Sequence, residues 1–182
     1  MATEKEHLER REIALALARV QIAIVFGDVL PVDDVELAHI TPADCERVRL
    51  SWRSHPERQK ITFNWLRHHN KRRDRLDVTI HCLGELCGIM LARHSRRRIN
   101  VNLRYVESSP YPHPLAGYIL PVALIIAESF ADAYGAMQVT VSQPDRALVP
   151  HYRQQGYELT AADRSREKRG CPIRAKILVK TL

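Results

Sequence analysis

Residues 76–106 read LDVTIHCLGELCGIMLARHSRRRINVNLRYV, and the period of this stretch decides the fold class. Val78, Ile80 and Cys82 alternate with Asp77, Thr79 and His81, the two-residue repeat of a strand over Leu76 to Leu83. Gly84-Glu85 makes a tight turn into a second run, Leu86 to His94. Arg96-Arg97-Arg98 turns the chain again into a third, Ile99 to Val106. There Ile99, Val101, Leu103 and Tyr105 alternate with Asn100, Asn102 and Arg104, placing all four apolar residues on one face. Three runs joined by short turns predict an antiparallel meander.

Towards the C-terminus, Ser108 to Pro114 is a proline-rich loop, and Leu115 to Tyr134 reads as a long helix, apolar almost all round and hence buried. Pro121 falls near its first turns, and Gly135 supplies a left-handed stop. Met137 to Val141 reads as a strand, Asp145 to Gln155 as a helix, Gly156-Tyr157 as the start of a strand and Ile173 to Val179 as the last strand. The basic run Arg164 to Gly170 reads as a solvated hairpin. Towards the N-terminus, Thr41-Pro42 opens a helix after a strand over Val35 to Ile40, and residues 56–69 read as a further helix leading into the basic connection His68 to Arg73. Thr3 and Glu6 form a capping box ahead of a helix whose stripe, Ile13, Leu17, Val20 and Ile24, ends near Gly27. The element order predicts an α+β (mixed α/β) chain with one sheet and a right-handed crossover through the long helix.

At 182 residues, with 45% apolar and 27% charged residues, the chain is long enough to bury a full core and unlike a disordered one. The net charge of +7 is unevenly spread. Residues 1–91 carry 14 basic and 14 acidic side chains, whereas residues 92–182 carry 14 and 7. A basic half suits a polyanion, whether nucleic acid, a membrane surface or a phosphorylated cofactor. Aromatics make up only 6% and none punctuates the basic runs Lys71 to Arg73 and Arg164 to Arg169, which weighs against a nucleic-acid module. The four cysteines form no C-x-x-C pair. Cys82 and Cys87 flank a turn as an expected pair of reduced thiols, and strand alternation sends His81 and Cys82 to opposite faces, so no metal site is expected. The acidic N-terminus and the interrupted apolar stretch Ile13 to Phe26 fit neither a secretory signal nor a membrane span, and the expected location is cytoplasmic.

The stretch Asp145-Arg146-Ala147-Leu148-Val149-Pro150-His151-Tyr152-Arg153-Gln154-Gln155-Gly156-Tyr157 resembles the N-x-x-A-x-x-L-Y-x-x-x-G-F pattern of the GNAT acyltransferase superfamily. Tyr152, Gly156 and the aromatic Tyr157 match; Asp145, Leu148 and His151 depart. The family's second motif, Q/R-x-x-G-x-G/A, falls on Pro114 to Ile119, where Gly117 alone survives. The resemblance covers roughly residues 35–182 and implies a mostly antiparallel, twisted sheet with splayed fourth and fifth strands, flanked by helices. It implies an N-terminal helical extension over 1–30 and an acyltransferase domain over 31–182.

For function, the resemblance implies direct acyl transfer, most simply acetyl, from acetyl-CoA to the amine of a small molecule or protein. The pantetheine arm would bond backbone near Tyr105, Val106 and Glu107, and the pyrophosphate would meet amides of Ala116, Gly117, Tyr118 and Ile119 at a helix start. Tyr152 would protonate the departing thiolate, and Glu107 is the first choice of base, with His113 and His81 beside Asp77 in reserve. Arg96 to Arg98, roughly 26 Å along an extended strand from Val106, is expected to be a solvated turn rather than a phosphate grip. Acceptor choice would reside in residues 41–75 and 160–172, and a homodimer through the N-terminal helix is expected. The alternatives are a catalytically degenerate GNAT-fold binding protein and a basic nucleic-acid-binding module.

Overall fold

The structure, a computed structural model, describes residues 3–68, 75–95 and 99–182. The expected basic connection over His69 to Arg73 and the arginine turn over Arg96 to Arg98 lie outside the described residues.

Seven strands form one sheet in the order β1-β2-β3-β4-β5-β7-β6. The meander is present as β2 (Arg75–Cys82), β3 (Glu85–His94) and β4 (Asn100–Ser108), with β1 (Val35–His39) antiparallel to β2 at one edge. Helix α4 (Ile119–Tyr134) carries the chain from β4 to its parallel neighbour β5 (Gln138–Ser142). Strand β7 (Ile177–Thr181) pairs antiparallel with β5 on one side and with the short β6 (Glu158–Leu159) on the other.

The sheet is buried on both faces. One cluster holds Val78, Ile80, Met90, Ala92, Val101 and Leu103 with residues of α4 and of α1 (Glu4–Phe26). The other holds Ile89 and Leu91 with Cys45 and Val48 of α2 (Pro42–Leu50), Trp52, and Trp65 of the one-turn α3 (Trp65–His68). Burial on both faces explains why β3 reads as a nearly continuous apolar run rather than an alternation.

Helix α1 starts at the expected capping box, but its expected stripe points outward: Ile13, Val20 and Ile24 are 51%, 56% and 70% exposed. The buried side is Ala14, Leu15, Ala18 and Ile22, packed with α4, in which Ala123, Ala127 and Ala131 are also fully buried. Alanines at i, i+4 spacing keep the side-chain layer thin, so the small residues mark the packed side and the larger ones do not.

Three more expectations are corrected. The helix expected over 56–69 is, up to His68, a 3-10 turn at Pro56–Arg58 and then α3, with irregular chain between, because His55 and Pro56 cap a short turn that does not propagate. The long helix begins at Ile119 rather than Leu115: the Tyr118 amide turns back to the Leu115 carbonyl at 3.0 Å, and Gly117 has φ +83°. The basic run after β6 is not a hairpin but helix α6 (Ala161–Lys168), capped by the Thr160 hydroxyl, which accepts from the Asp163 amide.

Gly88 of β3 sits directly under the first residue of α4. A Cβ there would lie 2.8 Å from Ile119 Cγ2 and 2.9 Å from its Cδ1. Gly88→Ala is expected to destabilise the chain by about 1–3 kcal/mol through overpacking. In a urea-unfolding double-mutant cycle, Ile119→Ala should absorb much of that cost; strictly additive losses would refute the contact as its cause.

Candidate active site

Strand β4 contains one residue too many. Leu91 faces Tyr105 and Ala92 faces Leu103, so Arg104 has no partner on β3 and forms a β-bulge. The extra residue reverses the alternation. Leu103 lies in the cluster with α4, whereas Tyr105 packs with the cluster on the other face, its ring 4.0 Å from that of Phe63 and 6.5 Å from that of Trp65. The expectation that Ile99, Val101, Leu103 and Tyr105 share one face fails at this point, because a bulge bends and twists the strand that carries it.

The bulge is also where two strands part. Pairing between β4 and β5 runs from Asn100 opposite Gln138 to Leu103 opposite Val141 and then stops, although β4 continues to Ser108. Beyond that point a cavity of about 310 Å³ opens, lined among others by Tyr105, Val106, Ser108, Gln143, Leu148 and Tyr152. The Ser109 amide bonds to Cys87 of β3 at 2.8 Å. Antiparallel alternation from there gives Glu107 and Tyr105 the bonds to β3 and turns the Val106 N–H and C=O towards the gap.

Tyr152 comes from α5 (Val149–Gln154), one of the elements after β5. The residue is buried and lines the cavity, and its hydroxyl has no hydrogen-bond partner among the described residues. Burial, and secondarily the charge of Asp145, push this phenol up to about 12. It is a protonated hydroxyl at neutral pH, able to donate. Tyr157 behind it is fully buried, and its hydroxyl donates to Glu128 Oε1 at 3.1 Å; Lys180 Nζ donates to both oxygens of the same carboxylate at 2.9 Å. Tyr157 is therefore an anchor for the segment that carries Tyr152.

Glu107 is not a free carboxylate. The Arg53 guanidinium meets it with two donors, Nη1 to Oε1 and Nη2 to Oε2 at 3.0 Å, and Trp65 Nε1 donates to Oε2 at 2.7 Å. Arg53 also donates to the Phe63 carbonyl at 3.1 Å. This ion pair is nearly buried and ties β4 to the segments around α2 and α3. Neither Arg53 nor Trp65 was singled out in the sequence, since nothing local marks a partner 54 residues away.

His113 has a defined tautomer. Its Nδ1 accepts from the Leu115 amide at 3.2 Å, so in the neutral ring Nε2 carries the proton and donates to Ser108 Oγ at 3.1 Å. Burial lowers its pKa, which keeps it neutral. It braces the loop ahead of α4 and is turned away from accepting a proton at Nε2. His81 and Asp77 lie on β2, which β3 separates from β4, and do not line the cavity.

At the start of α4 the Ala116 amide donates to the His113 carbonyl at 3.2 Å and the Tyr118 amide to Leu115, so two of the four expected phosphate donors are already used. The Ile119 side chain is buried against Gly88. The amides of Gly117, Ile119 and Leu120 meet no backbone carbonyl among the described residues, and Pro121 has no amide to satisfy. Gly117, at φ +83° with open space where a Cβ would stand, leaves that helix start accessible.

No protein-family model and no curated protein matches the sequence. Solved structures do match. Tetrahymena GCN5 superposes at TM-score 0.54 with 8% identity, over 81% of this chain and 95% of that one. An N-acetylglutamate synthase from Neisseria gonorrhoeae, complexed with coenzyme A and N-acetyl-glutamate, superposes at 0.53 with 15% identity, over 81% of this chain and 35% of that one. A Bacillus subtilis acetyltransferase in complex with CoA superposes at 0.50 with 16% identity, over 81% and 97%. The chain thus spans about a third of the synthase's length. A mostly antiparallel sheet whose single parallel pair opens at a bulge, with α4 crossing between those strands, is the fold of the GNAT acetyltransferases, and this chain has it.

Proposed function

We propose that the chain is an acyl-CoA-dependent N-acyltransferase that transfers acetyl from acetyl-CoA to an amine by direct attack. The observation that carries this reading is the cavity between the parted ends of β4 and β5, lined by Val106 and by Tyr152, whose hydroxyl has no hydrogen-bond partner among the described residues. The Gly117, Ile119 and Leu120 amides at the positive end of a 16-residue helix suit the pyrophosphate of coenzyme A. Proteins of the same fold were solved with coenzyme A bound, which supports the same class of ligand here.

In this mechanism the Val106 N–H donates to the thioester carbonyl oxygen and stabilises the charge that develops there. The neutral amine forms the C–N bond as the C–S bond breaks. The Tyr152 hydroxyl gives its proton to the departing thiolate, and the proton lost by the amine leaves to water at the open mouth of the cavity. Glu107, engaged by Arg53 and Trp65, acts as a positioning residue that holds this end of β4 against the α2–α3 region. Tyr105 offers neither group to the ligand: its backbone is bonded to β3 and its ring is packed on the opposite face.

Tyr152→Phe should lower kcat by about 10²–10⁴-fold and leave coenzyme A affinity unchanged in calorimetric titration. Wild-type turnover in that variant would remove Tyr152 from the chemistry. Gly117→Val, which forces a branched residue to positive φ, should weaken coenzyme A binding by about 10-fold or more.

The raised phenol also sets a stability trend. Unfolded tyrosine ionises near pH 10, whereas folded Tyr152 holds its proton to about 12. Between those values the native state binds more protons, so its stabilising contribution is complete below pH 10 and is lost as pH rises. Urea unfolding between pH 9 and 11 should show a steeper loss in wild type than in Tyr152→Phe.

Glu107→Gln separates an anchor from a base. As an anchor, its loss should cost about 3 kcal/mol in unfolding experiments by stranding Arg53, and the pH–rate profile should keep its shape. Loss of the acidic limb with stability intact would make Glu107 the base instead.

A further inference from the structure

A second cavity, of about 470 Å³, lies between α6 and the segment leading into β7, and four of its lining residues are Arg166, Arg169, Arg174 and Lys176. None of the four has a carboxylate partner among the described residues. Arg166 donates through Nε to the Pro172 carbonyl at 2.8 Å and Arg169 through Nε to the Ser165 carbonyl at 3.2 Å, which orients both stems and leaves their terminal nitrogens unspent. The nearby acids are committed elsewhere: Glu167 to Arg153 at 2.9 Å and Glu158 to Arg164 at 3.1 Å.

The one acid in the lining, Asp163, is buried and accepts the Arg174 and Ala175 amides at 2.8 and 3.0 Å. It pins the backbone of the segment that carries Arg174 and Lys176, where Ala175 stands at φ +48°. Arg166 is half-buried and Arg169, Arg174 and Lys176 are exposed, so the groove is a solvent-open cluster of positive charge carried on a backbone that is held in place.

Its place in the fold matters. The Lys176 carbonyl accepts from the Gln143 amide at 2.8 Å, and Ile177 pairs with Ser142. Ser142 and Gln143 both line the cavity between β4 and β5, so the two cavities adjoin across one strand end.

We propose that this groove binds the phosphate group of the acceptor, making the substrate an amine that carries a phosphate monoester. The assignment rests on the acyltransferase reading above. Arginine forks match phosphate oxygens in pairs, and a dianion answers an uncompensated cluster better than a single carboxylate. No aromatic residue lines the groove to stack a base, which favours a compact phosphate ester over single-stranded nucleic acid.

The test uses the full chain at moderate, fixed ionic strength. Pyrophosphate is titrated calorimetrically, in the presence of excess coenzyme A to occupy the start of α4, into wild type and into Arg166→Gln/Arg174→Gln, with coenzyme A alone titrated in parallel. Acetyl transfer is then measured to ω-amino alkyl phosphates of increasing length and to the matching amino alcohols. The expected results are pyrophosphate binding weakened about 10-fold or more in the double variant, unchanged coenzyme A affinity, and a phosphate-dependent drop in KM that the variant abolishes. Absence of pyrophosphate binding, equal binding by the variant, or no phosphate preference at any linker length overturns the proposal. Loss of coenzyme A binding in the variant would assign the groove to the cofactor's phosphates and overturn it too. Pyrophosphate binding in a chain that takes no coenzyme A would leave an anion site but sink the acyltransferase reading, and the acceptor assignment with it.

Discussion

One surplus residue in β4 organises the candidate site. Arg104 has no opposite number on β3, and the ladder can absorb it only by bending the strand and reversing which side chains face which side. Up to Leu103 the strand is held between two neighbours; beyond it, β5 no longer follows. The backbone of Val106 is thereby released from the sheet while still being held by β3 on its other edge. A polar backbone group that is rigidly held and yet unpaired is what an electrophile-activating donor requires, and the interior of a regular sheet cannot supply one.

The packing on either side keeps that opening from closing. Gly88 lets Ile119 press against β3, which places the first turn of α4 beside the gap and brings its unused amides there. On the opposite face, the nearly buried Arg53–Glu107 pair and the Trp65 indole tie the bulged half of β4 to the segments after α2. Tyr157, Glu128 and Lys180 do the same for the α5 segment that carries Tyr152. Each of these contacts joins residues far apart in the chain, so the site is a product of several non-local contacts rather than of one motif.

The N-terminal helix shows how a correct period can be assigned to the wrong side. Ile13, Val20 and Ile24 recur at helical spacing as an amphipathic helix requires, yet the helix turns them to solvent and buries Ala14, Leu15, Ala18 and Ile22 against the alanine-rich α4. Hydrophobicity ranks isoleucine above alanine, but a close helix pair selects for small volume. A reading based on large apolar residues misses such an interface. The basic segment after β6 departs from the expected hairpin for a related reason: its charges hide helix α6, which Thr160 caps and Asp163 fastens to the chain before β7.

Much of the architecture was legible locally. The two-residue alternation of β2, the capping box at Thr3, the Thr41-Pro42 helix start and the left-handed stop at Gly135 are set by residues within a few positions of one another, and such short-range rules survive folding. The element order that follows from them was enough to name the fold class. Tertiary structure decided the rest: that Tyr105 leaves the face of Leu103, that Glu107 is bound by Arg53, that the Ala116 and Tyr118 amides are spent within their own turn, and that four cations with no carboxylate partner among the described residues gather between α6 and the start of β7. The first depends on the register of a bulge and the second on a partner 54 residues away. The third depends on how one turn closes, and the fourth on α6 standing against the segment before β7. Periodicity reports which side of an element a residue occupies, and it carries no information about what the rest of the chain brings to that side.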